Sequence, residues 1–299
     1  MNPKSIRIVR LLSLLLCIGH IFILSACGGG GNTDTPVPPP TGANTISDPT
    51  SPTYSRGLQA VAEVLKGFEF VMSLNDLVIT AGQTGSCGQA GTASYNSGVQ
   101  TLTNCVRSFP NDEAYNGTFN VSTSVAGSQT NVSVTGINNL KAFNPTNLAS
   151  QDYAIPNGFF TASNLNSAGS DSTKLLSGGA TFYPGTSGSG SQYGLSNLNA
   201  TTVNNGSSYT VTQNSSSGFA SVQRGTVTYD ISIDNPISVT GNNLPGTGSV
   251  TVRYSTTTCN PLSISFISIT KFVMACGGQS ITKNWNDSDV VAARALSRQ

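Results

Sequence analysis

Histidine is almost missing from this chain. The 299 residues hold one, His20, inside an N-terminal stretch that reads as a removable leader. Without that leader the chain has no imidazole, which excludes a Ser-His-Asp or Cys-His catalyst and a histidine-ligated zinc enzyme. Charge is sparse too, at 9% Asp, Glu, Lys and Arg. Residues 1–26 take Lys4, Arg7 and Arg10 of the 14 basic residues and none of the 13 acidic ones, leaving 11 against 13, a net of −2. No basic tract remains to neutralise phosphates, so no nucleic-acid partner is expected. No Walker A loop occurs, nor a G-x-G-x-x-G run opening a helix after a strand, and nucleotide chemistry is unsupported. Long apolar runs are lacking as well. The one over residues 11–24 is shorter than the ~20 residues of a bilayer span, and His20 interrupts it.

What is present begins at that leader. Three basic residues precede the apolar run, and Leu24-Ser25-Ala26-Cys27 closes it as a bacterial lipobox. The expectation is a lipoprotein signal peptide over residues 1–26, cleaved before a Cys27 that carries a thioether-linked diacylglycerol and an acylated amino group. Several acyl chains on one residue exceed the two signals that stable anchoring needs. Gly28 follows where an Asp, by resemblance to enteric sorting, would hold the protein in the inner membrane, so delivery to the outer membrane is expected. Residues 27–54 then form a Gly- and Pro-rich tether with little apolar bulk to repay ordering. Treated as coil, it spans on the order of 30 Å. Residues 55–299 are expected to form a single β-rich domain.

Four cysteines remain after Cys17 in the leader and the lipidated Cys27: Cys87, Cys105, Cys259 and Cys276. An even number in an exported protein points to disulfides. Three pairings exist; Cys87 with Cys105 and Cys259 with Cys276 is preferred, because each pair brackets one short hairpin. Loop-closure entropy makes each worth roughly 3 kcal/mol. A four-Cys metal site would need C-x-x-C spacing, which is absent.

Leu58, Val61, Leu65, Phe68 and Met72 recur at helical spacing behind Ser55, a candidate N-cap, with Lys66 and Glu69 on the wet side. From about Leu77 the period changes to two, between Gly, Asn, Ser and Pro clusters. Thr118-Phe119-Asn120-Val121-Ser122, Asn131-Val132-Ser133-Val134-Thr135 and Tyr209-Thr210-Val211-Thr212 alternate, as do residues 225–233 and 249–254. Asn96-Ser97-Gly98 reads as a hairpin turn. Short connections without βαβ alternation make the sheet antiparallel. Residues 185–191 read as a flexible loop. Ser133-Val134-Thr135-Gly136 and Ser238-Val239-Thr240-Gly241 echo each other and read as two similar turns at strand ends. Asp287 or Ser288 caps a short terminal helix, with Arg294 and Arg298 near its negative end; the Asn-Asp-Ser spacing before it lacks the Gly and Glu of a calcium loop.

Two Ser-x-x-Lys pairs, Ser268/Lys271 and Ser280/Lys283, lie in strand-like runs where a separation of three puts the side chains on opposite faces. Asp112-Glu113 and Asp230/Asp234 are the candidate paired carboxylates for glycoside chemistry, against the plainer role of solvated loop and strand-end charge. Phe159-Phe160, Phe182-Tyr183 and Trp285 are aromatics that could line a groove, although such residues more often pack cores.

The CGGGG start at Cys27, the tether, the following helix, Cys87-Gly88…Gly91-Thr92…Leu102-Thr103-Asn104-Cys105, Gly117-Thr118, residues 225–252 and Trp285 resemble uncharacterised betaproteobacterial lipoproteins. The resemblance implies an envelope location and a β-rich fold, and it carries over no functional residue except Cys27. The expected fold is mainly β: an extended, twisted antiparallel sheet curled as an open half-barrel, with the N-terminal helix packed on its concave face. A two-sheet β-sandwich is the alternative. The expected role is that of a lipid-anchored cell-envelope protein with a non-enzymatic binding or structural function, whose one definite partner is the membrane. The alternatives are a carbohydrate-active enzyme using paired carboxylates and a carrier of a hydrophobic ligand in the half-barrel. No cofactor and no metal are implied.

Overall fold

The computed structural model describes residues 45–106, 113–126, 129–144, 147–164, 173–184, 192–204, 208–214, 216, 218–240, 244–254 and 259–296. All of these belong to one unit, Gly42–Gln299. Cys27, the expected leader, most of the expected tether, Asp112, the expected loop at 185–191 and Arg298 lie outside the described residues.

A long helix, α1 (Pro52–Thr80), comes first. Ser51 caps it, its hydroxyl accepting from the Tyr54 amide at 3.1 Å, and Pro52 occupies the first turn, where a missing N–H costs nothing. The helix therefore starts three residues before the expected start and runs past Leu77, where strand had been expected. Ordered packing begins earlier still. Ile46 is 1% exposed, and a Cβ on Gly57 would come within 2.6 Å of its Cδ1. Ile46, given to the tether by the sequence reading, thus packs against α1.

The strands follow as β1 (Gly85–Ser86), β2 (Ala90–Asn96), β3 (Val99–Val106), β4 (Ala114–Ala126), β5 (Gln129–Asn144), β6 (Asn147–Asn164), β7 (Thr173–Pro184) and β8 (Tyr193–Asn204). After them come β9 (Ser208–Gln213), β10 (Ala220–Arg224), β11 (Val227–Thr240), β12 (Leu244–Tyr254), β13 (Leu262–Ser268), β14 (Lys271–Cys276) and β15 (Gln279–Asn284), and then α2 (Ser288–Leu296). Among the described residues, all 15 strands join one antiparallel sheet, in sequence order except at β9. Strands β9 and β10 share one slot between β8 and β11. Residues Tyr209–Gln213 pair with one end of β8, and Ser221–Arg224 pair with the other. The two-sheet sandwich is not adopted; the single sheet is open, with β1 and β15 as its outer strands.

The geometry of α1 shows how the sheet curls. Phe68 meets Phe219 at 5.4 Å and Phe266 at 6.4 Å, whereas Phe70 stacks on Phe182 at 3.6 Å. Residues two apart on a helix point about 200° apart, so strands lie on opposite sides of α1. The sheet wraps the helix. This corrects the expected one-sided stripe: Lys66 is 6% exposed and Glu63 is fully buried. Glu63, inside this wrap, has no solvent to face and must find its partner within the fold.

Period two is carried through the strands, with β13 burying Leu262, Ile264 and Phe266 and turning its serines outward. The hairpin turn falls where expected, Ser97 at φ 48° and Gly98 at φ 85° between β2 and β3. The Ser133–Gly136 echo is not a strand-end turn. It lies inside β5, beside a register shift where Asn120 faces Gly136 and Val121 faces Val134.

Candidate functional sites

Cys87 is bonded to Cys105 with 5.3 Å between Cα atoms, and Cys259 to Cys276 with 5.4 Å. These are the expected pairs, enclosing the β2–β3 and β13–β14 hairpins. Of the carboxylates, Glu113 is 9% exposed and accepts from the Tyr115 hydroxyl at 3.1 Å. Asp230 accepts from Ser221 at 2.6 Å, and Asp234 from Thr251 at 2.8 Å, both on the wet side of β11. Each has its own local donor. The Ser268 hydroxyl pairs with Thr270, not Lys271, and Lys283 is held by Asp287 at 3.1 Å and Asp289 at 3.0 Å.

Two of the expected groove aromatics serve the core. Phe182 is buried against Phe70, and Trp285 packs on Phe272 at 4.4 Å. Tyr183 is half-buried and donates to Gln192 at 3.2 Å. The side chains of Phe159 and Phe160 lie outside the described residues. Inside the half-barrel, the space in which a hydrophobic ligand would sit is occupied by α1. On the opposite, outer face, glycines in β6, β7 and β8 leave a shallow trough of about 580 Å³ edged by Thr181, Gln192, Ser196 and Gln223. Its rim is uncharged.

Two polar clusters on α1 were missed by the sequence reading. In the first, Arg224 at the end of β10 donates to Glu63 at 3.0 Å and to the Leu296 carbonyl, at the C-terminus of α2, at 2.7 Å. A cation there also suits the negative end of the helix. The guanidinium lies 5.7 Å from the Tyr193 ring centre. Burial pushes the Glu63 carboxyl above its ordinary range, with Arg224 pulling the other way. Burial likewise raises the Tyr193 hydroxyl, and it pushes Tyr229 up to about 12. The other end of α2 is tied down by Asp289, which bonds Tyr54 and Lys283. Burial opposes ionisation of Asp289, but those two donors outweigh it and its carboxyl sits below the ordinary value. Asp287 precedes α2 as expected, yet its carboxylate reaches back to the Asn284 amide at 3.0 Å.

In the second cluster, Thr202 of β8 donates to the Asn75 side-chain carbonyl at 3.3 Å. Asp76, 1% exposed, and Tyr209, fully buried, complete it. The signal available in the sequence was that Glu63, Asn75 and Asp76 on this helix fall on no single polar face.

The Glu63 shift has a testable sign. Its folded pKa lies above the unfolded value near 4.5, so the folded state takes up a proton first as pH falls. Stability therefore rises as pH drops from the raised value towards 4.5. Asp289 acts oppositely, its contribution present above 3.8 and lost below that. Urea midpoints measured from pH 7 to 4.5 should show an acid-side gain in the wild type that Glu63→Gln lacks; equal slopes would reassign the proton.

Compared with known proteins, the chain matches no family model, no curated protein and no solved structure.

Proposed function

We propose that this is a lipid-anchored cell-envelope protein, attached through Cys27, that works by binding or by structural support instead of by catalysis. The observation that carries the reading is Leu24-Ser25-Ala26-Cys27 at the end of a basic-then-apolar leader, with a Gly- and Pro-rich tether behind it. Support comes from the cysteines, all four of the domain's being paired in disulfides, as suits an oxidising compartment outside the cytoplasm. Further support comes from the candidate catalytic groups. Glu113, Asp230 and Asp234 are each engaged by a neighbouring hydroxyl, and Lys283 by two carboxylates. Gly28 favours delivery to the outer membrane.

Cells labelled with an alkyne fatty acid test the anchor. The wild type should incorporate label and sediment with membranes, whereas Cys27→Ser should do neither and retain residues 1–26. Unlabelled wild-type protein would end the reading. Enzymatic action is tested separately: peptidoglycan and glycan turnover should be equal for wild type and for the Glu113→Gln, Asp230→Asn and Asp234→Asn variants. Turnover lost in any of them would favour a carbohydrate-active enzyme.

A further inference from the structure

We propose that the cluster joining α1 to β8 is a self-modification site, at which the Thr202 hydroxyl displaces the Asn75 side-chain nitrogen to form an intramolecular ester. Three observations carry it. The Thr202 Oγ1 lies 3.3 Å from the Asn75 Oδ1, and the two side chains are 1% and 2% exposed. The Asn75 Nδ2, fully buried, has no hydrogen-bond partner among the described residues. Buried amides are nearly always satisfied, and an orphan of this kind calls for a role. Third, the next residue is an acid: Asp76 is 1% exposed, and both its charge and the Thr202 hydroxyl act on the fully buried Tyr209.

The chemistry balances without an outside reagent. Asp76 takes the Thr202 hydroxyl proton, directly or through Tyr209, as Oγ1 attacks the Asn75 Cγ and the Oγ1–Cγ bond forms. Collapse of the tetrahedral adduct breaks Cγ–Nδ2, and the proton held by Asp76 goes to the departing nitrogen. One ammonia leaves and nothing is oxidised or reduced. Protonation of ammonia in bulk solvent removes it from the reverse reaction. Three features of the fold favour the step. The partners are held in contact by the wrapped sheet, water is excluded from a site that would otherwise hydrolyse the ester, and the orphan donor disappears. The product would tie the central helix covalently to the middle of the sheet, a reinforcement that disulfides at the two hairpins do not provide.

The test uses the full-length protein purified from membranes, reduced, alkylated and digested with trypsin. Asn75 then falls in residues 67–107 and Thr202 in residues 175–224. The expected species is these two peptides joined, about 17 Da (one ammonia) below their sum, and separated by mild alkali. Both peptides recovered unlinked at their sequence masses would overturn the proposal. So would the same mass loss confined to residues 67–107, which marks a succinimide at Asn75. Thr202→Val should abolish the link in a protein whose circular dichroism is unchanged. Asp76→Asn should abolish it or slow it at least tenfold; full linkage in that variant would overturn the role given to Asp76.

Discussion

Truncating Phe70 to alanine is expected to cost about 3–5 kcal/mol, the range for a fully buried Phe→Ala change. Phe70 is 0% exposed, stacks on Phe182 at 3.6 Å and meets the Tyr193 ring edge-on at 5.8 Å. The loss combines transfer of the ring with the void left between α1 and the β7–β8 pair. That void cannot close easily, because strands grip the helix from the Phe68 side as well. Urea unfolding followed by circular dichroism measures it. Phe70→Leu should recover about half of the loss, since it refills part of the volume. A cost below about 1 kcal/mol for the alanine variant would mean that α1 is not enclosed, since an exposed position carries no such penalty.

Gly91→Ala is the second large effect, expected at about 4 kcal/mol, from backbone strain and overpacking together. Gly91 adopts φ +75°, and a Cβ there would sit 1.9 Å from the Asn104 carbonyl oxygen and 2.5 Å from that of Thr103. Both clashes are with backbone, in the bulged stretch where Ala90 pairs with Val106 but Thr92 pairs with Thr103. Asn104 itself adopts φ 46° there, next to the bonded Cys105. The backbone has no room to shift without disturbing the disulfide. Gly225→Ala is the control. It has a similar φ of +58° but nothing within 4 Å of the added atom, and should cost only about 1 kcal/mol. Equal losses at the two positions would assign the effect to φ alone and discard the clash.

Much of the architecture was legible because β-structure writes itself locally. Alternation through Thr118–Ser122 and Asn131–Thr135 identifies half-buried strands with no knowledge of their neighbours. Asn96-Ser97-Gly98 announces its turn because few residues accept positive φ. The cysteine pairs were legible because short loops close most readily around hairpins. The limits of α1 were less so. Leu77 and Val78 suit strand and helix alike, and only the tertiary setting keeps them helical. The Glu63–Arg224 and Asn75–Thr202 partnerships were not legible at all, being 161 and 127 residues apart in sequence.

Residue order alone was enough for the strand periodicity, the antiparallel meander, the hairpin turn and the choice of disulfide partners, since each depends on interactions within about 20 residues. The tertiary structure decided that the sheet wraps α1 instead of covering one side, and that β9 and β10 divide one slot. It also decided which polar groups share the interior. The physical reason is that twist and curl accumulate over the whole sheet. Until the strands close round the helix, nothing local distinguishes a wet face of α1 from a buried one.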